Sequence, residues 1–317
     1  MIYSYVLTPD IFDTAVVEGH SFAVGELLTR IRRNGVIPDL NGDLRREIWD
    51  AAKRLPETLT RKRLLEELEC LAKRNRFVRD FERGTIEDAT SEMDWHVLAA
   101  SRHSTSPIHL TVSDETLHAV AADNFPVESD FGNTLVAIQA LHESPRWNAA
   151  ESQCVIPRTL AAYREVLTPF LRSAKRLTIL DPHLNPSEPR FAHVVREILR
   201  LAGKERQDAG KRVGVRALVE QHPNDPAKLD GWREFVRQNP LPGNVDLEVT
   251  VVPRNRSAGR FHDRFLLTEQ SGITLGDSLD TGNGNATWTL LEEPAFEHHH
   301  AIASDLRARS DCVTVKL

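Results

Sequence analysis

The chain has 317 residues, of which 40% are hydrophobic and 27% are charged, and its formal net charge at pH 7 is −6. This composition is typical of a folded globular protein and excludes a disordered one. The acidic total argues against a protein that coats nucleic acid through a general basic face. The length suits one large domain or two ordinary ones.

The start of the chain and its cysteines indicate where in the cell the protein is located. No uninterrupted apolar run of about 18 residues occurs, and Met1–Asp13 lacks the basic and apolar parts of a secretion signal. Cys70, Cys154 and Cys312 lie far apart without a CxxC spacing, which favours thiols in a reducing compartment. We therefore expect a cytoplasmic protein without a membrane partner.

The first half of the chain combines a strand at its start with helical stretches. Apolar residues recur at helical spacing in Ile48–Leu55 and in Leu64–Ala72. The apolar run Ile108–Val112 predicts a strand that ends close to Asp114. The polar, turn-prone stretch Glu143–Gln153 then marks the boundary between two domains.

Helices and strands alternate after this boundary. The predicted elements are a helix from Pro157 to about Arg172, a strand at Arg176–Asp181, a helix at Phe191–Ala202, a strand at Val213–Val219, a helix at Leu229–Gln238 and a strand at Val245–Val252. Two more strands, FHDRFLLT and ITLG, are joined by the turn Glu269–Gly272. Such alternation predicts an α/β domain with helices packed on the faces of a sheet.

The segment Phe261–Asp280 carries the residues best suited to chemistry. His262 and Arg264 stand two positions apart on a predicted strand. Because strand side chains alternate between faces, we expect both on one face. We expect the following turn to bring the carboxylate of Glu269 and the backbone of Gly276 close to that face. An imidazole, a guanidinium and a carboxylate beside a glycine form a group suited to phosphodiester cleavage.

This spacing, H-x-R-x4-E-x6-G, resembles the pattern H-x-K-x4-D-x6-G of the phospholipase D superfamily, with arginine and glutamate replacing lysine and aspartate. Leu180–Leu184 (LDPHL) is similar to an early strand of single-motif members, and the resemblance covers about half of the chain. It implies that His262 attacks phosphorus as a neutral imidazole, that Glu269 orients the ring and that Arg264 binds phosphate oxygens. No metal or other cofactor is implied for this site.

Superfamily members need two histidines, one that attacks and one that protonates the leaving oxygen. His183, His193 and His222 lack the basic residue and the downstream pattern of the motif. Single-motif members supply the second histidine by homodimerisation, so the resemblance implies a symmetric dimer in which two copies of His262 meet. The substrate-binding residues that it implies are Gly276, Ser278, Asn283 and Asn285.

Two stretches after the motif are predicted to be mainly structural. Asp280–Thr287 (DTGNGNAT), which contains the two asparagines, predicts a turn. The triplet His298, His299 and His300 is predicted to lie on a solvated surface.

A fainter pattern in the first half consists of acids at predicted strand ends and helix starts. These acids are Asp10 or Asp13, then Glu66 or Glu67, then Asp94 and Asp114. With the alanine-rich helical segment Met93–Ser101 and the strand before Asp114, they resemble a PIN-type nuclease domain. This resemblance implies that Asp10, Asp94 and Asp114 hold Mg²⁺ or Mn²⁺ for hydrolysis by water.

We therefore expect a two-domain α/β protein, with a PIN-like α/β domain at 1–148 and a phospholipase-D-like mixed sheet flanked by helices at 154–317. The expected activity is phosphodiester hydrolysis, with nucleic acid preferred over lipid because the sequence shows no amphipathic or basic membrane face. A toxin-like or host-defence effector is the role that we associate with this pair of domains. Two alternatives stay open: a non-catalytic, nucleic-acid-binding dimeric scaffold, and a metal-dependent nuclease that uses the N-terminal carboxylates.

Overall fold

The computed structural model of the protein describes residues 2–79, 92–149, 152–172, 174–204, 212–221, 228–254, 263–277 and 279–317. The chain divides into two compact units, Ile2–Ala150 and Glu151–Leu317. Each helix within the described residues is too short or too polar to cross a lipid bilayer.

The N-terminal unit alternates parallel strands with helices. Its strands are β1 (Tyr3–Leu7), β2 (Gly35–Asp39), β3 (Phe77–Arg79), β4 (Leu110–Ser113) and β5 (Leu135–Ala137), and its helices are α1 (Thr14–Asn34), α2 (Leu44–Arg54), α3 (Leu59–Lys73), α4 (Glu92–Thr105), α5 (Glu115–Asn124) and α6 (Pro145–Asn148). The helices predicted from apolar spacing are confirmed as α2 and α3, and the predicted strands as β1 and β4.

The described strands of this unit form one parallel sheet in the order β3-β2-β1-β4-β5. In the central strand β1, Tyr5, Val6 and Leu7 are all buried, because a parallel sheet is covered on both faces. Strands β2 and β3 are added on one side of β1, and strands β4 and β5 on the other, so the strand order switches between β1 and β4. The carboxyl ends of these two adjacent strands are where a crevice for ligands forms in such sheets.

The C-terminal unit contains β6 (Gln153–Pro157), α7 (Leu160–Arg172), β7 (Arg176–Leu180), α8 (Pro189–Lys204), β8 (Val213–Gln221), α9 (Lys228–Gln238), β9 (Val245–Pro253), β10 (Arg264–Thr268), β11 (Gly272–Leu275), β12 (Asn285–Leu290), α10 (Glu293–Ala308) and β13 (Val313–Lys316). The described strands form a mixed sheet in the order β13-β9-β8-β7-β10-β11-β12-β6. Strands β7, β8 and β9 are parallel, and the other described pairs are antiparallel. The predicted α/β class with a mixed sheet is confirmed.

Strand β10 joins the parallel part of this sheet to the antiparallel part. It pairs with β7 on one side, with Phe265 opposite Leu180, and with β11 on the other, with Arg264 opposite Leu275. Phe265 and Leu267 face α10 and pack with its buried Leu306. Alternation along the strand therefore directs Arg264 to the opposite face of the sheet.

Three predictions about local structure are wrong. Pro157 ends the edge strand β6 instead of opening a helix, and α7 begins at Leu160; proline is tolerated there because an edge strand has an unpaired side. Asn285, predicted in a turn, begins β12, where it pairs with Pro157. The His299 ring stacks on Phe265 with centroids 3.7 Å apart, so the histidine triplet is part of the packing of α10 against β10 rather than a wholly solvated surface.

Gly132 lies in a buried turn before β5, and replacing it tests the packing of the N-terminal unit. A Cβ atom on Gly132 would lie 2.0 Å from the carbonyl oxygen of Pro126. We expect Gly132→Ala to lower the free energy of unfolding by about 2 kcal/mol or more, as overpacking does. Urea denaturation followed by circular dichroism measures the change.

Gly25→Ala in α1 is the matched control, because a Cβ atom there meets nothing within 4 Å. Replacing a helical glycine by alanine should raise the free energy of unfolding by up to about 1 kcal/mol. Equal midpoints for the two variants would contradict the packing described for Gly132.

Candidate functional site

Arg264 lies at the start of β10, beside the carboxyl end of β7. Its side chain is 24% exposed, while the carboxylate of Asp181, the residue that follows β7, is fully buried. The Nε atom of Arg264 is 3.7 Å from Oδ1 of Asp181. This Nε atom is buried and has no hydrogen-bond partner among the described residues. The contact between Nε and Asp181 is therefore one of charge, and about a quarter of the Arg264 side chain remains exposed.

Asp181 is the residue that connects the neighbouring segments. Its Oδ1 accepts a hydrogen bond from the backbone N–H of His183 at 2.9 Å, and its Oδ2 accepts one from the N–H of Leu279 at 3.2 Å. One carboxylate thus joins the end of β7, the start of β10 and the segment between β11 and β12. We call Asp181, His183, Arg264, Gly276 and Leu279 the Arg264 site.

Burial and hydrogen bonding act against each other on Asp181. Burial raises the pKa of its carboxyl group and outweighs the N–H groups of His183 and Leu279 and the charge of Arg264, which lower it, so the net shift is upward. A buried carboxylate is costly unless donors and cations surround it, and these three neighbours are of that kind.

Gly276 lies at the same edge as Arg264, because the residue before it pairs with Arg264 across the hairpin. Its N–H donates to the carbonyl oxygen of Thr287 at 2.8 Å, and a Cβ atom on it would lie 2.8 Å from that oxygen. Glycine is therefore required here for close approach to β12. The predicted nearness of Gly276 to Arg264 is what the structure shows.

Two further arginines contact Asp280, the residue after Leu279 of the Arg264 site. Asp280, which follows Leu279 in the chain, is buried and accepts hydrogen bonds from Arg158 and from Nη1 of Arg190, the latter at 3.3 Å. The hydroxyl of Tyr163 donates to the carbonyl oxygen of Asp280 at 2.8 Å. Buried aspartates therefore hold all three arginines: Asp181 contacts Arg264, and Asp280 contacts Arg158 and Arg190.

Glu269 is not beside Arg264, and its predicted position is corrected. It lies in the turn at the other end of β10, where its carboxylate accepts hydrogen bonds from the backbone N–H groups of Lys175 at 2.6 Å and Arg176 at 3.1 Å. In a hairpin the turn residues are farthest from the open end, so Glu269 and Gly276 cannot both approach Arg264. Glu269 anchors the start of β7, and the acid at the Arg264 site is Asp181.

The other implied residues of this site differ in what the structure shows. His262 and Ser278 lie outside the described residues. Asn283 and Asn285 are exposed, and Asn285 begins β12 two residues before Thr287, the acceptor of the Gly276 N–H. Asp181 was detectable only as a strand-ending acid in LDPHL, because its partner Leu279 is 98 positions away.

In the N-terminal unit, Asp10 and Asp114 meet at the carboxyl ends of β1 and β4. Asp10 is 3% exposed, and its Oδ2 accepts a hydrogen bond from the N–H of Asp114 at 2.6 Å. Its buried Oδ1 has no hydrogen-bond partner among the described residues. Burial raises the pKa of Asp10 to about 6, and the nearby charge of Asp114 adds to the rise while its N–H opposes it. Such a carboxyl group is suited to a cation.

The remaining acids do not complete a metal site with these two. Within the described ranges, no three histidine, cysteine, aspartate or glutamate side chains are grouped so that they could hold a metal ion. Asp94 is half-buried on α4, and Asp114 caps α5 by accepting the N–H of Leu117 at 2.7 Å. Glu67 pairs with Arg32 at 3.2 Å. Of the predicted acids that the structure describes, Asp10 and Asp114 are the pair that it brings together.

No protein-family model matches the chain, and no curated protein matches it. The spacing of the motif and the geometry of the described side chains are therefore what bear on its function.

The network around Asp181 predicts a large loss of stability in Asp181→Asn. The amide provides one acceptor where two backbone N–H groups need one each, and it leaves Arg264 without its counter-charge. We expect the free energy of unfolding to fall by about 3 kcal/mol. Urea denaturation monitored by tryptophan fluorescence measures it.

Asp246→Asn provides the matched control for this variant. Asp246 pairs with Arg212 at the surface, where both side chains are more than half exposed, so its loss should cost less than about 1 kcal/mol. Similar losses for the two variants would contradict the role given to Asp181.

Replacing Asp10 should raise the stability of the protein in a pH-dependent way, in contrast to the loss expected for Asp181→Asn. Its pKa in the folded chain, about 6, exceeds the ordinary value of about 3.9, so the folded state binds this proton more tightly. The stabilisation is complete below about pH 4 and is lost as pH rises through about 6. Asp10→Asn keeps an oxygen for the Asp114 N–H, so we expect equal stability near pH 4 and a gain on the order of 2 kcal/mol at pH 7.5.

Urea denaturation of wild type and Asp10→Asn between pH 4 and 8 measures this difference. A difference that stays constant over that range would show that the Asp10 pKa is not raised.

Proposed function

We propose that the chain is a phosphodiester hydrolase, with nucleic acid as its substrate, in which Arg264 binds the scissile phosphate and His262 attacks it. The observation that carries this proposal is a partly exposed guanidinium, held by the buried carboxylate of Asp181 at the end of β7. His262 stands two positions before Arg264 in the sequence, and its role depends on that spacing. Arginine presents a planar fork that fits two phosphate oxygens.

Nucleic acid is favoured as the substrate because two successive residues, Leu279 and Asp280, take part in the contacts that hold arginines. Arg264 lies beside Asp181, the acceptor of the Leu279 N–H, and Arg158 and Arg190 contact Asp280. A polynucleotide offers a phosphate at every residue, so it can contact several arginines at once. The proposal also includes a homodimer, because the sequence contains a single motif, and a cytoplasmic location, because of the spacing of its cysteines.

A second candidate function is metal-dependent nuclease activity in the N-terminal unit. The observation in its favour is Asp10, a buried carboxyl group with a raised pKa and an oxygen that has no hydrogen-bond partner among the described residues. Mg²⁺ or Mn²⁺ prefers such oxygen ligands and would supply an activated water molecule. Asp10 and Asp114 are two possible ligands, and the described residues group no third acid, histidine or cysteine with them in a metal site.

Cleavage assays on labelled single- and double-stranded DNA and RNA separate these proposals. We expect wild-type cleavage to survive EDTA and to fall roughly 1,000-fold or more in His262→Ala, because a nucleophile is lost. Arg264→Ala should weaken binding of the same oligonucleotides and reduce the salt dependence of log Kd by about one phosphate contact. Arg212→Ala, at a surface ion pair, is the matched control for binding.

Each contrary outcome identifies an alternative. Cleavage that EDTA and Asp10→Asn abolish, but that His262→Ala leaves intact, would assign the activity to the N-terminal carboxylates. Binding that depends on Arg264 without cleavage of any substrate would indicate a non-catalytic scaffold. Sedimentation velocity of the same preparation measures the oligomeric state. A monomer at the concentrations of the assay would contradict the proposed dimer.

A further inference from the structure

In the turn that follows β7, one histidine is exposed to solvent while the residues on either side of it are buried. The N–H of Leu184 donates to the carbonyl oxygen of Asp181 at 3.2 Å, which closes the turn. Pro182 and Leu184 are buried, whereas His183 between them is exposed. The backbone N–H of His183 is fixed by Oδ1 of Asp181 at 2.9 Å.

A buried lysine holds the same turn from within the protein. Lys228, at the start of α9, is 7% exposed, and its Nζ donates to the carbonyl oxygens of Pro182 at 2.7 Å and Glu220 at 2.8 Å. The N–H of Glu220 also donates to Pro182, at 3.2 Å. The backbone of His183 is thus positioned by β8, α9 and Asp181 together, as a preorganised functional residue requires.

His183 is also next to the proposed phosphate-binding residue. The Oδ1 atom of Asp181 that accepts its N–H is the one that lies 3.7 Å from Nε of Arg264. We propose that His183 is a catalytic residue of the Arg264 site, the general base that activates the water molecule releasing the product. This inference rests on the proposed phosphodiesterase function, and it adds a base for the second step to the acid that the sequence pattern expects from a second subunit.

The charges around His183 favour the basic form of its ring. Partial burial, Arg264 and Lys228 lower its pKa, while the carboxylates of Asp181 and Glu220 act in the opposite direction. The net shift is downward, so the imidazole is neutral at pH 7 and can accept a proton.

The chemistry balances over two steps. In the first, a nitrogen of His262 bonds to phosphorus, the bond from phosphorus to the leaving oxygen breaks, and that oxygen takes a proton from the partner subunit's His262 in the proposed dimer, which regains one from solvent. In the second, the oxygen of water bonds to phosphorus, the phosphorus–nitrogen bond breaks, and His183 accepts the proton of the water before returning it to solvent. A variant without His183 should therefore form the covalent intermediate and release it slowly.

The test compares the full-length wild type with His183→Ala, His262→Ala and His193→Ala on a uniformly ³²P-labelled oligonucleotide. Steady-state cleavage by His183→Ala should fall about 100-fold, the range of general base catalysis. Labelled protein should accumulate after an alkaline quench, and added imidazole should restore part of the rate. The acidic limb of kcat, which reports protonation of His183 in the second step, should be absent in this variant, whereas the acidic limb of kcat/KM, which reports the neutral His262 that attacks, should remain. His193 is exposed on α8, and His193→Ala should behave as wild type.

The outcomes distinguish this inference from the proposed function. His183→Ala that cleaves at the wild-type rate overturns the inference, while loss of activity in His262→Ala preserves the proposed nuclease. A slow His183→Ala that neither accumulates labelled protein nor responds to imidazole also overturns it, because the histidine would then serve structure alone. Wild-type activity in His262→Ala overturns the proposed function itself. Thermal unfolding within a few degrees of wild type is expected for His183→Ala, whose ring is exposed.

Discussion

A single buried carboxylate, that of Asp181, holds the candidate active edge of the C-terminal unit together. An ionised carboxyl group that is removed from water loses several kcal/mol of solvation, so the protein has to surround it with donors and positive charge. The N–H groups of His183 and Leu279 and the guanidinium of Arg264 meet this need. The same contacts place a cation and a histidine at one edge of the sheet, so the stability and the proposed chemistry share one cause.

Local patterns predicted part of the candidate site, and pairing between distant segments determines the rest. The positions of Arg264 and Gly276 at one edge follow from strand alternation and from the length of the hairpin. The placement of Glu269 was wrong, because that hairpin separates its turn from its open end and gives the carboxylate to the backbone of Lys175 and Arg176. Asp181 could be seen as an acid after a strand, but a partner 98 residues away leaves no local signal.

The fold shows the same division between local and distant causes. Strands β7, β8 and β9 and helix α8 have long apolar patterns, and all were predicted from the sequence. Strands β6 and β12 contain polar and turn-favouring residues, and they form because they pair with each other at the sheet edge. In the N-terminal unit, β3 and β5 have three residues each, too few for alternation to be recognised.

Crystals of the protein soaked with orthovanadate or tungstate would show whether Arg264 binds phosphate, because these oxyanions resemble the phosphate of a phosphodiester. We expect an anion within hydrogen-bond distance of the Arg264 guanidinium, with the 3.7 Å contact between Arg264 and Asp181 kept and the His183 ring facing the same anion. An anion bound elsewhere while Arg264 remains vacant, or an Arg264 guanidinium covered by protein on all sides, would contradict this expectation.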